Sequence, residues 1–185
     1  MTTAHTPLPL VPGHWALDPA HSAVNFTIRH LGVSKVRGRF TRFDVDVVIG
    51  ETLESTSVAA TIELASVDTG NADRDAHVLA PDMVDVQLRP TLVYRSTSVS
   101  ANGDDWHVDG ELTIGDVTVP VALEVDFGGV EEFVQGPRHA GFEATTQIRR
   151  QDFGLMPSIP SAALGDVIKV ELDLQLLEPQ VAPAQ

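Results

Sequence analysis

Apolar and polar side chains change places at every second position over much of this chain, which is the period of a β-strand with one buried face. The segment near the C-terminus shows it most regularly: Ile168, Val170, Leu172, Leu174 and Leu176 alternate with Lys169, Glu171, Asp173 and Gln175. Trp106, Val108, Leu112 and Ile114 alternate with His107, Asp109, Glu111 and Thr113, and Gly110 falls on the apolar face, where it marks a bend or a close approach. The pair Gly115-Asp116 supplies a tight turn, after which a third segment alternates from Val117 to Phe127. The same period predicts strands near 22–31, 34–49, 57–64, 91–100, 106–114, 117–127, 140–149 and 167–177, with Trp15 to Asp18 as a short lead-in. Most links are short enough to make consecutive strands antiparallel neighbours. Eight is also the number at which a closed barrel has an interior filled by side chains or by one ligand. The expected class is all-β: an eight-stranded antiparallel β-barrel, closed so that no strand edge stays sticky.

Two stretches break the period. Within 34–49, Val36 and Phe40 keep one parity while Phe43, Val45, Val47 and Ile49 keep the other, so a bulge or bend is expected near Thr41-Arg42. From Gly70 to Pro81 the alternation stops, and Asn71 as N-cap with Pro81 as terminator predicts one short helix, placed across a barrel end. Residues 1–13 and 179–185 are Pro-rich and read as extended tails around a single domain spanning 14–178.

Charge and composition narrow the partners. With 26 acidic against 12 basic residues the formal net charge is −14, which argues against nucleic acid, because phosphate backbones are bound by clustered Lys and Arg. The chain has no Cys, which removes disulfides, thiolate nucleophiles and Cys-rich metal sites. No uncharged apolar run reaches the length of about 18 residues that a transmembrane helix requires. The opening MTTAHTPLPLVPGHW has neither the basic start nor the continuous apolar stretch of a secretory signal, so a cytoplasmic location is expected. The cations are unevenly placed: Arg29, Lys35, Arg37, Arg39 and Arg42 are five of the twelve within fourteen residues. Either they cover a solvated strand face balanced by acidic neighbours, or they contact an anion, a ligand phosphate or a membrane surface touched transiently.

Catalytic motifs are absent. No phosphate loop, GxSxG or HExxH occurs, and the run GDVTVPVAL leads into a strand rather than a helix. No metal site and no cofactor is expected. His21 with Asp18 and Ser22, or His77 with Asp75, offer acid–base residue types, but capping and hydrogen bonding are the ordinary employment of such neighbours. His30 shares parity with Val24, Phe26 and Ile28, so it is expected to point inward, as a core histidine or as a polar contact for a ligand head group.

Four separated segments, in order, resemble the YceI-like family of lipocalin-like, polyisoprenoid-binding proteins. WALDPAHSAVNFTIRHLGVSKVRGRF is similar to the family's first hairpin through Asp18, His21, Ser22, Phe26, His30, Gly38 and Phe40. SVDTGNADRDAHVLAPDMVDV is similar to its strand-to-helix segment through Ser66, Asp68, Thr69, Arg74, Asp75, His77 and Leu79. VDGELTIGDVTVPVAL resembles the central hairpin, and RRQDFG, with Arg150, Asp152, Phe153 and Gly154, resembles the signature of the penultimate strand. Met83-Val84 stands where aromatic residues are common in the family.

The resemblance implies a lipocalin-like barrel that holds a polyisoprenoid or similar long lipid in its lumen and catalyses no reaction. The parity set then supplies the candidate lining: Val24, Phe26, Ile28, His30, Phe40, Phe43, Val45, Ile62 and Leu92 from the first half, with Trp106, Val108, Leu112, Ile114, Phe142, Ala144, Ile148, Leu172 and Leu174 from the second. Small inward groups at Ala60, Gly110 and Ala144 are expected to leave room for the ligand. Two rival readings remain. One is a lipid-modifying hydrolase or isomerase, using His30 with a buried acid; the other is an interaction domain with a solid barrel. The sequence leaves the oligomeric state open, a homodimer included.

Overall fold

The computed structural model describes residues 8–132 and 136–180. Its strands are β1 (Gly13–Leu17), β2 (Ala23–His30), β3 (Ser34–Phe40), β4 (Phe43–Ile49), β5 (Ser57–Glu63), β6 (Val67–Asp68), β7 (Thr91–Asn102), β8 (Asp105–Ile114), β9 (Val117–Glu132), β10 (Arg138–Arg149) and β11 (Leu164–Leu177). One α-helix, α1 (Ala72–Val78), joins β6 to β7. Asn71 caps it, its side-chain oxygen accepting from the Arg74 N–H at 2.9 Å, as the sequence predicts.

These eleven strands make eight staves. β1 and β2 both lie along β11, either side of a 3-10 turn at Pro19–His21, so they are one bent stave. β3 pairs with β2 while β4 pairs with β1, and β6 pairs with β3 while β5 pairs with β4. Each of these couples is therefore also a single stave with a kink. The remaining neighbours run β5–β7–β8–β9–β10–β11, and β11 returns to β1 and β2, which closes an up-and-down antiparallel barrel.

The kink between β3 and β4 falls at Thr41-Arg42, where the parity change predicts it. Ser66 holds it: its carbonyl accepts from the Thr41 N–H at 3.1 Å, its hydroxyl oxygen accepts from the Arg42 N–H at 3.0 Å, and that hydroxyl donates to the Glu63 carbonyl at 2.7 Å.

At the lower end of the barrel β1 begins and β4 and β11 finish. That end is plugged by fully buried Trp15, Ile49 and Leu176 and by the tilted and edge-on rings of Trp106, Phe127 and Phe142, with centroids 5.2–5.8 Å apart. Leu10 is buried in the same plug and Leu8 packs on it, while the Trp15 indole donates to the Val11 carbonyl. The described part of residues 1–13 is thus packed onto the barrel and is not a free tail. The upper end is roofed by two segments, residues 69–90 including α1, and residues 150–163.

Outside, the register places Asp105 opposite Asp126, Asp126 opposite Glu143, and Glu143 opposite Asp173, all four exposed. Like charges directly across a sheet repel. Glu143→Lys is expected to raise stability by about 0.5–1 kcal/mol in urea unfolding, with the gain shrinking in high salt.

Candidate ligand-binding site

Alternation turns one face of every stave inward, and the inward faces enclose two connected apolar hollows. The lower has a volume of about 120 Å³ and its wall presents no polar surface. The upper, beneath the roof, has about 340 Å³, within the usual range for a small-molecule site. Phe40, Leu92, Ile148 and Val170 line both and form the constriction between them. Phe40 is braced there by Phe26, ring centroids 5.4 Å apart, and the Phe26 ring lies over Gly38, where a Cβ would collide with it.

Of the lining residues expected from parity, Val24, Val45, Ile62, Trp106, Val108 and Leu112 stand on the lower wall, as do Phe142, Ala144, Leu172 and Leu174. Phe26, Ile28, His30 and Ile114 stand on the upper wall, and Phe40, Leu92 and Ile148 at the constriction. Phe43 lines neither; it borders a shallow outer hollow with Pro19 and Arg42 while packing partly on the core. His30 is a correction to the inward reading: the parity is right, but the residue sits at the end of β2 and is exposed at the mouth of the upper hollow.

Gly110 is a second correction. It leaves no free space, because the Tyr94 ring occupies the position that a Cβ would take. The buried Tyr94 hydroxyl donates to the Val108 carbonyl at 3.1 Å, and burial pushes its pKa up to about 12. Ala60 and Ala144 do line the lower hollow.

The polar side chains of the upper wall gather at its rim, His30, Thr69, Arg74 and His77, while Thr56, Tyr94 and Thr146 on the lower wall turn no polar surface into the hollow. Thr69 holds Arg74 in place. Its hydroxyl donates to Asp75 at 2.5 Å and accepts from Arg74 Nε at 2.8 Å, while its carbonyl accepts from Arg74 Nη2. His77 faces Asp82 at 3.8 Å rather than Asp75. Asp18 and His21 pair at 2.9 Å, and the hydrogen bond from His21 holds the Asp18 carboxyl below its usual range. Gln175 donates its amide N–H to the Ser22 hydroxyl and its side-chain N–H to Asp18, so this trio pins the bend between β1 and β2 onto β11. None of the trio lines a hollow, and no carboxylate is among the described residues that do.

The basic cluster divides. Arg39 pairs with Asp68 at 3.0 Å and Arg42 with Glu63 at 2.6 Å. Among the described residues Arg29, Lys35 and Arg37 take part in no ion pair, although Lys35 and Arg37 help to lower the pKa of Glu171 from across the sheet.

The roof is built around Arg150, which the sequence places in the RRQDFG signature without a role. Arg150 is 1% exposed, and its guanidinium donates to the carbonyls of Leu155, Met156, Ile159, Leu164 and Gly165 while pairing with Asp166 at 3.2 Å. Four of those five residues, Leu155, Met156, Ile159 and Leu164, line the upper hollow. The Met156 N–H in turn donates to the Met83 carbonyl, which ties the two roof segments together. The one sequence signal was the RRQDFG motif itself.

The family model for the YceI-like domain matches residues 15–176, which spans every stave of the barrel. Protein YceI of Escherichia coli is 38% identical over 144 residues, covering 77% of this chain and 75% of that one. The crystal structure of a Campylobacter jejuni YCEI protein superposes with a TM-score of 0.75 at 26% identity, covering 83% of this chain and 91% of the other. A polyisoprenoid binding domain from Saccharophagus degradans shares the fold, with a TM-score of 0.63 at 15% identity over 91% of this chain and all of that one. Sequence match and barrel agree from Trp15 to Leu176, and the chain belongs to the YceI-like family.

Proposed function

We propose that the protein binds a polyisoprenoid or similar long-chain lipid in its barrel and acts as a carrier without catalysing a reaction. One observation carries this reading: among the described residues the lower hollow presents no polar surface and is stopped by the Trp15 and Trp106 plug, while the polar side chains of the upper hollow stand at its rim. A chain that enters tail first buries its methylenes and leaves its head beside His30, Arg74 and His77. Each CH₂ removed from water contributes about 0.8 kcal/mol, offset in part by the ordering of the chain. Chains longer than the upper hollow reach the lower one only when Phe40 and its neighbours move aside. The shared fold of the Saccharophagus degradans domain, described as polyisoprenoid-binding, supports the ligand class.

Hydrolysis or isomerisation would require an acid beside His30, and no carboxylate is among the described residues that line the hollows. A solid barrel is disfavoured by the upper hollow. Thermal unfolding with prenyl alcohols of increasing length tests the reading. A long prenyl alcohol at about 100 times its Kd should stabilise the fold by about 2.7 kcal/mol, or roughly 5–10 °C in Tm. At one fixed alcohol concentration the shift should grow with chain length; absence of any shift at every length would contradict the proposal.

A further inference from the structure

A carrier has to meet the surface that supplies its ligand, and one end of this barrel is built unlike the other. The three most exposed large apolar side chains among the described residues are Val33 at 82%, Leu88 at 72% and Leu31 at 57%. Val33 and Leu31 form the tip of the β2–β3 hairpin, and Leu88 lies in the roof segment that runs into β7, so all three belong to the upper end, where the hollow has its mouth. Neither Val33 nor Leu31 is buried, and Leu31, at φ +52°, forms with Gly32 the left-handed centre of the hairpin turn that the Val33 N–H closes on the His30 carbonyl, a backbone that costs a non-glycine residue free energy.

The hairpin is fixed and not loosely hanging. The Leu31 N–H donates to the Ala163 carbonyl at 2.9 Å, which fastens the tip to the roof beside the mouth, and His30 pairs with both Ser34 and Leu164. Just behind the tip, Arg29 and Lys35 face each other across the two strands, and Arg37 follows on the same exposed face. Unlike Arg39 and Arg42 of the same cluster, these three take part in no ion pair among the described residues, in a chain whose net charge is −14. An aliphatic tip backed by unpaired cations fits a bilayer with anionic head groups, since the side chains insert while the cations stay at head-group level.

We infer that the β2–β3 hairpin docks the upper end of the barrel onto an anionic membrane surface, which sets the mouth of the hollow against the lipid. The inference rests on the carrier reading for its purpose but not for its test, because docking is measured with no isoprenoid present. Flotation with phosphatidylcholine vesicles, alone or with phosphatidylglycerol added, is the experiment. The parent chain should float with the anionic vesicles and less with the neutral ones, and release as salt rises.

A cation near an anionic leaflet changes partition about fivefold, so Arg29→Glu with Lys35→Glu should weaken binding at least tenfold. Leu31→Gly with Val33→Ser should weaken it at similar charge. It should leave Tm unchanged or raised, since glycine relieves the left-handed strain, so lost binding would not be lost folding. Equal flotation with both vesicle types, or unaltered flotation of both variants, would overturn the inference. Loss of docking with prenyl-alcohol stabilisation intact would confirm that binding and docking are separate.

Discussion

Arg150→Met is expected to lower stability by about 3–5 kcal/mol, or roughly 6–20 °C in Tm for a chain of this size. The substitution keeps much of the aliphatic stem but removes every donor from a cage of five backbone carbonyls and leaves Asp166 without its cationic partner, held only by Gln151 and Ser161. Buried acceptors left unpaired cost about 1–3 kcal/mol each before the loop relaxes toward water. The relaxation itself opens the roof, so binding of prenyl alcohols should fall along with stability. Arg150→Lys should recover little, because an ammonium has three donors on a point and not a planar fork that reaches carbonyls on several sides. Urea unfolding of both variants checks this; a loss under 1 kcal/mol for Arg150→Met would show that the cage is not what holds residues 155–165.

Ala144→Trp separates the two hollows by chain length. Ala144 is buried on the lower wall, opposite Val125 and Leu172 on the flanking strands, so an indole there fills the lower hollow and leaves the upper one alone. Long prenyl alcohols should lose at least tenfold in affinity, while chains short enough for the upper hollow should bind as before. Because the ring enters existing space, the unliganded variant should lose only about 1 kcal/mol, at the low end of the cost of overpacking a full core. Titration calorimetry with a short and a long alcohol reads both arms. Equal losses for the two would mean that the hollows are not filled in succession.

Much of the barrel was legible because a closed meander repeats one local rule. Each stave alternates, each turn carries its own signal at Asn71 or Gly115, and the parity change at Thr41-Arg42 located a kink that Ser66 then holds. What the sequence concealed depends on contacts between distant segments. Arg150 stands in the RRQDFG signature without a legible role, since nothing local shows that residues 155–165 fold back to surround it with carbonyls. Gly110 read as spare room because the Tyr94 ring that fills it comes from the next strand. Arg39 and Arg42 joined the basic cluster by spacing, although Asp68 and Glu63 neutralise them from neighbouring staves. His30 kept the inward parity, yet β2 ends there, and a residue at the end of a stave faces the mouth and not the core.

The most direct measurement of the central claim is mass spectrometry of an organic extract from the purified protein, paired with native mass spectrometry of the same sample before and after incubation with a long prenyl alcohol. One long aliphatic molecule bound per chain, carried through purification or acquired on incubation and displaced in Ala144→Trp, is the result expected of a carrier barrel. A protein that yields no lipid above the blank and takes up none on incubation would contradict the account.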